Sequence, residues 1–200
     1  MVISMNGAVT FLIFVTFQRF IEFIWDWQNT QRLRAAGAIE FGGLHYPAMI
    51  LVHAGWLAGL WALGYDRDVV PAYLTAFLVL QIARYWVLAT LGRRWTTRVI
   101  VLPGAPLIES GPYRLMRHPN YVVVAGELVL APLSLGLPIF ALVFLALYAG
   151  AAYLRIQVES SALAWAPSER AAADRGSPED LRFCSPQNES ARTRRALTSG

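Results

Sequence analysis

The chain has 200 residues, of which 56% are apolar and only 15% are charged, and its formal net charge is +4. This composition is unusual for a water-soluble domain, and its apolar residues cluster in windows long enough to cross about 30 Å of hydrocarbon. All basic residues are arginine and Cys184 is the single cysteine, which excludes an intrachain disulfide and a cysteine-held metal, so no metal site is predicted.

The first apolar window, near residues 3 to 24, contains Gln18, Arg19 and Glu22. It lacks a basic start and a small-residue cleavage site, so we interpret it as a retained membrane helix rather than a signal peptide. Arg19 and Glu22 are three residues apart, which is the spacing of a structural ion pair on a helix. The alternative is that both point inward and contribute to a substrate-binding site.

The second window, residues 45 to 64, follows the stretch GGLHYP. It places His45 and Tyr46 at the start of a membrane helix, on the same side as the end of the first window. A single histidine there is ordinarily an interfacial residue. The alternative is that His45 and Tyr46 contact a substrate.

A long polar connection, residues 92 to 118, separates the third window (69 to 91) from the fourth. Connections of this length are usually functional or disordered, and its aromatic residues argue against disorder. Pro119 is well placed to begin the next helix, whose free N–H groups would then lie beside Arg117 and His118 and favour an anion. The alternative is that these two side chains only reach toward lipid headgroups.

The last window, residues 119 to 156, is too long for one crossing and contains Pro132, Gly136 and Pro138. These residues predict a helical hairpin with its turn near residues 134 to 138. The fold class is therefore all-α, a polytopic membrane bundle of about five transmembrane segments whose last two form a hairpin. Residues 1 to 164 make the membrane domain, and residues 165 to 200 are a polar tail that we expect to be flexible.

Three ionisable residues of the hairpin are candidates for chemistry. Glu127 lies at membrane depth, where a carboxylate is costly and normally has a partner, so it either faces the cavity or pairs with Arg84 and fixes helix packing. Arg155 and Glu159 are four residues apart and either form a simple ion pair or bind a ligand. The hairpin returns them to the side on which RHPNY (117 to 121) lies.

Arginine placement predicts the topology. The connections 26 to 44 and 92 to 118 and the tail hold most arginines, whereas the opposite side has few charges. The positive-inside rule puts the arginine-rich side in the cytoplasm and the N-terminus outside. Arginines between membrane spans set topology, and no basic stripe on a soluble face indicates nucleic-acid binding.

The motifs GPYRLMRHPNY (111 to 121), Glu127 and RIQVE (155 to 159) resemble the isoprenylcysteine carboxyl methyltransferase family of integral membrane methyltransferases. The stretches NTQRLRAAGAIEFGGLHYP and LGRRWTTRVIVLPGAPLIESGPY are more similar to its bacterial branch, which methylates alkylresorcinol or alkylpyrone lipids. The similarity covers roughly residues 15 to 163. Many members have a second glutamate where this chain has Ser160, and the eukaryotic enzymes have a longer C-terminal region that the tail does not match.

The resemblance implies an S-adenosylmethionine-dependent O-methyltransferase in a bacterial cytoplasmic membrane, with its active site facing the cytoplasm. Its acceptor would be lipid-like, a phenolic or pyrone polyketide lipid or a prenylcysteine-type carboxylate. The candidate residues are Arg155, Glu159 and Glu127 for catalysis, Tyr113, Arg117, His118, Pro119, Tyr121, Arg155 and Glu159 for the cofactor, and His45, Tyr46, Arg19 and Glu22 for the acceptor. The alternative is a non-catalytic membrane scaffold or lipid-binding protein that retains the fold.

Overall fold

The computed structural model describes residues 2–42, 45–103, 105 and 108–174, with side chains for 7–42, 46–103, 105 and 108–162. Five helices run through these residues: α1 (Val2–Ala35), α2 (His45–Gly64), α3 (Pro71–Leu91), α4 (Pro119–Ser134) and α5 (Pro138–Asp174). Two short 3₁₀ helices, Gly92–Arg94 and Gly111–Arg114, lie in the connection between α3 and α4. The all-α prediction is confirmed.

Four of the helices are long and apolar enough to cross a membrane, with candidate spans at Gly7–Ala35, Tyr46–Gly64, Pro71–Arg94 and Pro138–Ala162. The remaining helix, α4, has 16 residues, which at about 1.5 Å per residue is roughly 24 Å. Large apolar side chains such as Phe23, Ile82 and Ile139 point outward and are more than half exposed. An apolar exterior of this kind suits hydrocarbon, and the chain is an integral membrane protein.

The bundle is held by α3 packed on α4, α4 on α5, and α2 on α5. Leu12, Leu60, Phe77, Leu128 and Leu135 are fully buried at its centre. Small residues let the helices approach closely: a Cβ atom on Gly126 of α4 would lie 2.7 Å from the side chain of Leu80 in α3. This close contact positions the start of α4 against α3.

The predicted hairpin is confirmed. Helix α4 ends at Ser134 and α5 begins at Pro138, with Pro132 inside the last turn of α4. Gly136 between them has a φ of 67°, a left-handed conformation that a residue without a side chain adopts most easily. The turn brings the end of α5 back beside the start of α4.

Helix α1 extends eleven residues beyond the predicted window, to Ala35. After it, β1 (Ile39–Glu40) pairs antiparallel with β2 (Ile100–Val101) in the α3–α4 connection. Helix α5 continues to Asp174, ten residues past the predicted domain boundary at 164. Residues 175–200, which include the rest of the predicted tail and Cys184, lie outside the described residues.

Candidate functional site

A cavity of about 190 Å³ lies where the α3–α4 connection, the start of α4 and the middle of α5, around Arg155 and Glu159, meet. Six residues proposed from the sequence as cofactor ligands line it: Tyr113, Arg117, His118, Tyr121, Arg155 and Glu159. The cavity also has lining residues that the sequence reasoning had not assigned to a site, among them Trp95, Thr96, Arg98 and Asn120. Segments far apart in the chain therefore meet at one surface of the bundle.

The start of α4 forms one wall of the cavity. Pro119 is buried at the first helical position and His118 is the N-cap, as the sequence predicted for the helix start. The ring of His118 stands edge-on to Tyr121, with 5.2 Å between the ring centroids. Pro119 has no N–H and the Tyr121 N–H donates to the His118 carbonyl over 3.1 Å, so the backbone N–H of Asn120 is the donor that this turn leaves without an intrahelical partner.

The middle of α5, around Arg155 and Glu159, forms another wall. The Tyr121 hydroxyl donates to Oε2 of Glu159 over 2.8 Å, which ties α4 to α5. Deeper in the bundle, the Tyr148 hydroxyl donates to the Tyr121 carbonyl over 3.2 Å. The two hydrogen bonds hold the Tyr121 ring in place between the walls.

Arg155 and Glu159 do not form the simple ion pair that their spacing allows. Arg155 donates instead to the carbonyls of Thr96 and Thr97, and its Nε is buried without a hydrogen-bond partner. None of the ion pairs among the described residues includes either side chain. Arg155 and Glu159 are thus a guanidinium and a carboxylate of the cavity whose charges are not neutralised by an ion pair among the described residues.

The end of α1 holds the loop that carries these carbonyls. Asn29 is fully buried and its Nδ2 donates to the carbonyls of Gly92 (3.1 Å) and Trp95 (2.8 Å). Asp26 accepts a hydrogen bond from the backbone N–H of Thr97. Sequence reasoning had not assigned these residues to a site, although polar residues recurring three and four apart past an apolar window signal a helix face that needs partners.

A group of polar side chains lies beneath the cavity, inside the membrane bundle, and is called here the buried cluster. It consists of Gln18, Arg19, Glu22, Gln81, Arg84 and Glu127. Arg84 donates through Nε and Nη2 to both carboxylate oxygens of Glu22, at 3.0 and 2.9 Å. Arg19 pairs with Glu22 (2.9 Å) and with Glu127 (2.8 Å). Two cations and two carboxylates leave the cluster with no net charge.

The structure corrects the expected partner of Glu127. The sequence suggested Arg84, whereas the ion pair is formed by Arg19, and Gln81 donates to Oε1 of Glu127 over 3.0 Å. The reason is geometric: Arg84 is already bound by both oxygens of Glu22. Glu127, Arg19 and Glu22 belong to the buried cluster and are not among the residues that line the cavity.

The two-stranded pair forms the outer edge of the site. Arg98 lines the cavity, ion-pairs with Glu40 and stacks its guanidinium 3.9 Å from the ring centroid of Tyr46. Burial alone would raise the pKa of Glu40, but hydrogen bonds from Arg34 and Arg98 lower it below its ordinary value of 4.5. Tyr46 does not itself line the cavity and is connected to it by its contact with Arg98. The side chain of His45 lies outside the described residues.

Tyr113 is a hydrogen-bonding rather than a charged group in this cavity. Burial, together with the negative charge of Glu159, raises the pKa of its phenol to about 12. The phenol consequently stays protonated throughout the neutral pH range. Tyr113 can donate a hydrogen bond but does not act as a base there.

Comparison with known proteins shows which protein family the chain is similar to. The model of the isoprenylcysteine carboxyl methyltransferase (ICMT) family matches residues 73–165, which contain the cavity walls. The uncharacterized protein YpbQ of Bacillus subtilis (strain 168) is 38% identical over 141 residues, covering 68% of this chain and 84% of that protein. No solved structure matches.

The fold and the matched region define a methyltransferase of the membrane-embedded class. The chain belongs to the isoprenylcysteine carboxyl methyltransferase family. The recognition made from GPYRLMRHPNY and RIQVE is confirmed, while its assignment to the alkylresorcinol branch stays a prediction.

Proposed function

We propose that this membrane methyltransferase uses S-adenosylmethionine to O-methylate a lipid-like acceptor. The observation that carries the proposal is the unpaired Arg155 and Glu159 in one cavity. A guanidinium and a carboxylate that do not neutralise each other complement a ligand bearing one charge of each sign. The amino-acid end of S-adenosylmethionine is such a zwitterion.

Other residues that line the cavity suit the adenosine end of S-adenosylmethionine. Tyr113 and Tyr121 line the cavity, are partly exposed and offer aromatic surface for an adenosine. Arg155 and His118 would hold the carboxylate, and Glu159 the ammonium group. Arg117 lines the cavity but is exposed, so its contribution would be a screened electrostatic one.

S-adenosylmethionine, when bound, supplies a methyl group on a positively charged sulfur for in-line displacement. The contribution of this chain is to hold the acceptor oxygen in near-attack geometry, which can account for several orders of magnitude in rate. Tyr121 and Arg155 are fixed by hydrogen bonds to neighbouring segments, so the walls that would do this are preorganised.

The acceptor would enter laterally from the membrane, either as a phenolic or pyrone polyketide lipid or as a prenylcysteine-type carboxylate. A carboxylate acceptor needs no base, whereas a phenol with a pKa near 10 is helped by one. His118 is the base candidate that lines the cavity, and Glu127 lies below it in the buried cluster. A bacterial cytoplasmic membrane with the cavity facing the cytoplasm is the location we propose.

Methyl transfer is tested directly by incubating the purified protein with radiolabelled S-adenosylmethionine and a bacterial lipid extract. We expect label in one lipid class, and alkali-sensitive label would indicate an ester whereas alkali-stable label would indicate an ether. A preparation that binds no S-adenosylmethionine and labels no lipid would reject the proposal in favour of a scaffold.

Arg155→Ala and Glu159→Ala should each lower the affinity for S-adenosylhomocysteine by about a hundredfold or more, because each removes a charged hydrogen-bonding group. Isothermal titration measures the change. Arg114→Ala and Glu109→Ala remove the same charges from exposed positions that do not line the cavity and serve as matched controls. Unchanged affinity in both site variants would reject these assignments.

A further inference from the structure

Asn120 connects the buried cluster to the cavity. Its side-chain oxygen Oδ1 accepts a hydrogen bond of 2.7 Å from Nη1 of Arg84, and the same residue lines the cavity. No role in a site was assigned to Asn120 from the sequence. Among the described residues, its side chain makes the hydrogen bond with Arg84 and no other.

The chemistry of Arg84 determines which way the Asn120 amide faces. A guanidinium has only donors, so the atom that meets it must be the amide oxygen and not the nitrogen. Arg84 is 3% exposed and is itself held by both oxygens of Glu22, so it cannot turn away. The amide nitrogen Nδ2 must therefore point away from Arg84.

Nδ2 of Asn120 is free to bind a ligand. It forms no hydrogen bond with the described residues, and it is accessible to solvent rather than sealed inside the protein. An amide with its oxygen fixed and its nitrogen open presents two N–H donors to the cavity. Those donors are available to an acceptor on a ligand.

We propose that Asn120 binds the carboxylate of the methyl donor through Nδ2, with Arg84 as the positioning residue that fixes the amide. This inference rests on the proposed use of S-adenosylmethionine. A carboxylate is the ligand group with most acceptor capacity, and Asn120 lies in the first turn of α4, where its own backbone N–H precedes the first intrahelical hydrogen bond. Arg155, a cation that forms none of the ion pairs found among the described residues, lines the same cavity.

The test compares Asn120→Asp with wild type. Aspartate keeps an oxygen for Arg84 but replaces the donors that face the cavity by a second carboxylate oxygen. We expect the Kd of S-adenosylhomocysteine to rise by about tenfold or more. The Kd of 5′-methylthioadenosine, which lacks the amino-acid part, should change less than about twofold, a difference below the contribution of one hydrogen bond.

Gln157→Glu is the matched control. Gln157 is an exposed amide on α5 between Arg155 and Glu159 in sequence, and it does not line the cavity. The substitution adds the same negative charge, so it measures the long-range electrostatic effect by itself. We expect both Kd values to stay within about twofold of wild type, because an exposed charge is screened.

The role of Arg84 is tested by combining Arg84→Gln with Glu22→Gln. The pair removes one charge of each sign, so the cluster stays neutral and no carboxylate is left without its cation. A glutamine can donate or accept, so the Asn120 amide is no longer fixed. The Kd of S-adenosylhomocysteine should rise by about fivefold or more, although Arg84 does not line the cavity.

Thermal unfolding of each variant without ligand shows whether it folds, and Asn120→Ala replaces Asn120→Asp if the aspartate variant does not. Unchanged affinity of a folded Asn120 variant would overturn this inference and leave the proposed function standing. An equal loss for both ligands would overturn the assignment to the carboxylate. Failure of wild type to bind S-adenosylhomocysteine would overturn the proposed function and the inference together.

Discussion

Charged side chains inside the bundle are tolerated because each finds its counterpart. Glu127 is 1% exposed, and its charge is balanced by Arg19 and by hydrogen bonds from Gln81 and Gln18. An isolated carboxylate in such a place would be very costly, and removing one partner of a buried pair is far worse than removing both. The neutrality of the whole cluster is what makes it stable at membrane depth.

Glu127→Gln should lower the free energy of unfolding by about 3 kcal/mol, because it leaves the Arg19 charge only partly compensated. Adding Arg19→Gln to Glu127→Gln restores neutrality and should recover part of that loss. Denaturant unfolding in detergent measures both. A double variant that is no more stable than Glu127→Gln alone would contradict the argument.

Two connections of the bundle are joined by the short β1–β2 pair. Ile39 faces Val101 and Glu40 faces Ile100, so the segment after α1 is fixed to the segment after α3. Glu40 strengthens the junction by pairing with Arg34 on one side and Arg98 on the other. Because Arg98 lines the cavity, the junction also sets the position of a cavity wall.

The Glu40 junction predicts a pH dependence. The folded pKa of Glu40 lies below its ordinary value of 4.5, so its stabilising contribution is present at neutral pH and is lost as the pH falls through the folded value. Glu40 is partly exposed, so the contribution is at most about 1 kcal/mol. Glu40→Gln should lower stability at pH 7, and its difference from wild type should vanish at low pH.

Unfolding curves of wild type and Glu40→Gln across the acid range give this comparison. Glu109→Gln, at an exposed position whose carboxylate forms none of the ion pairs found among the described residues, is the control for loss of a negative charge. A stability difference that persists below the pKa of Glu40 would show that its hydrogen bonds, not its charge, hold the junction.

At the scale of the whole molecule, the cavity lies at one end of the bundle. Hydrogen bonds among Tyr121, Glu159 and Tyr148 show that the start of α4 and the end of α5 lie on the same side. The turn between α2 and α3 lies at the other end, because α3 runs from it toward the α3–α4 connection. The arginine distribution predicts that the cavity end faces the cytoplasm.

Single-cysteine labelling tests that orientation. With Cys184→Ser as background, Asp66→Cys in the α2–α3 turn and Ser110→Cys in the α3–α4 connection give two exposed reporters. An impermeant maleimide should label the first in intact spheroplasts and the second only after lysis. The reverse pattern would place the cavity outside and invert the predicted topology.

The sequence by itself was enough to predict the membrane segments, the hairpin and the family. Run length, proline position and motif spacing are local properties, and crossing a bilayer depends on little else. The same local properties predicted that Pro119 is the first residue of α4 and that Tyr121 and Glu159 lie on one side of the membrane. The eleven additional residues of α1 were missed because Asp26 and Asn29 are polar, and only their partners in the α3–α4 connection explain why they are buried.

Only the tertiary structure decided the pairing of charges. Arg19 rather than Arg84 neutralises Glu127, and Arg155 and Glu159 stand unpaired although their spacing allows a pair. Spacing along a helix shows which side chains share a face, but not which partner from another helix reaches them first. The sequence therefore determined which motifs meet at one side of the bundle. The packing of α1, α3 and α4 determined which charged residues remain free to bind a ligand. The physical reason is that a buried charge pairs with whichever partner the neighbouring helices bring within a few ångströms.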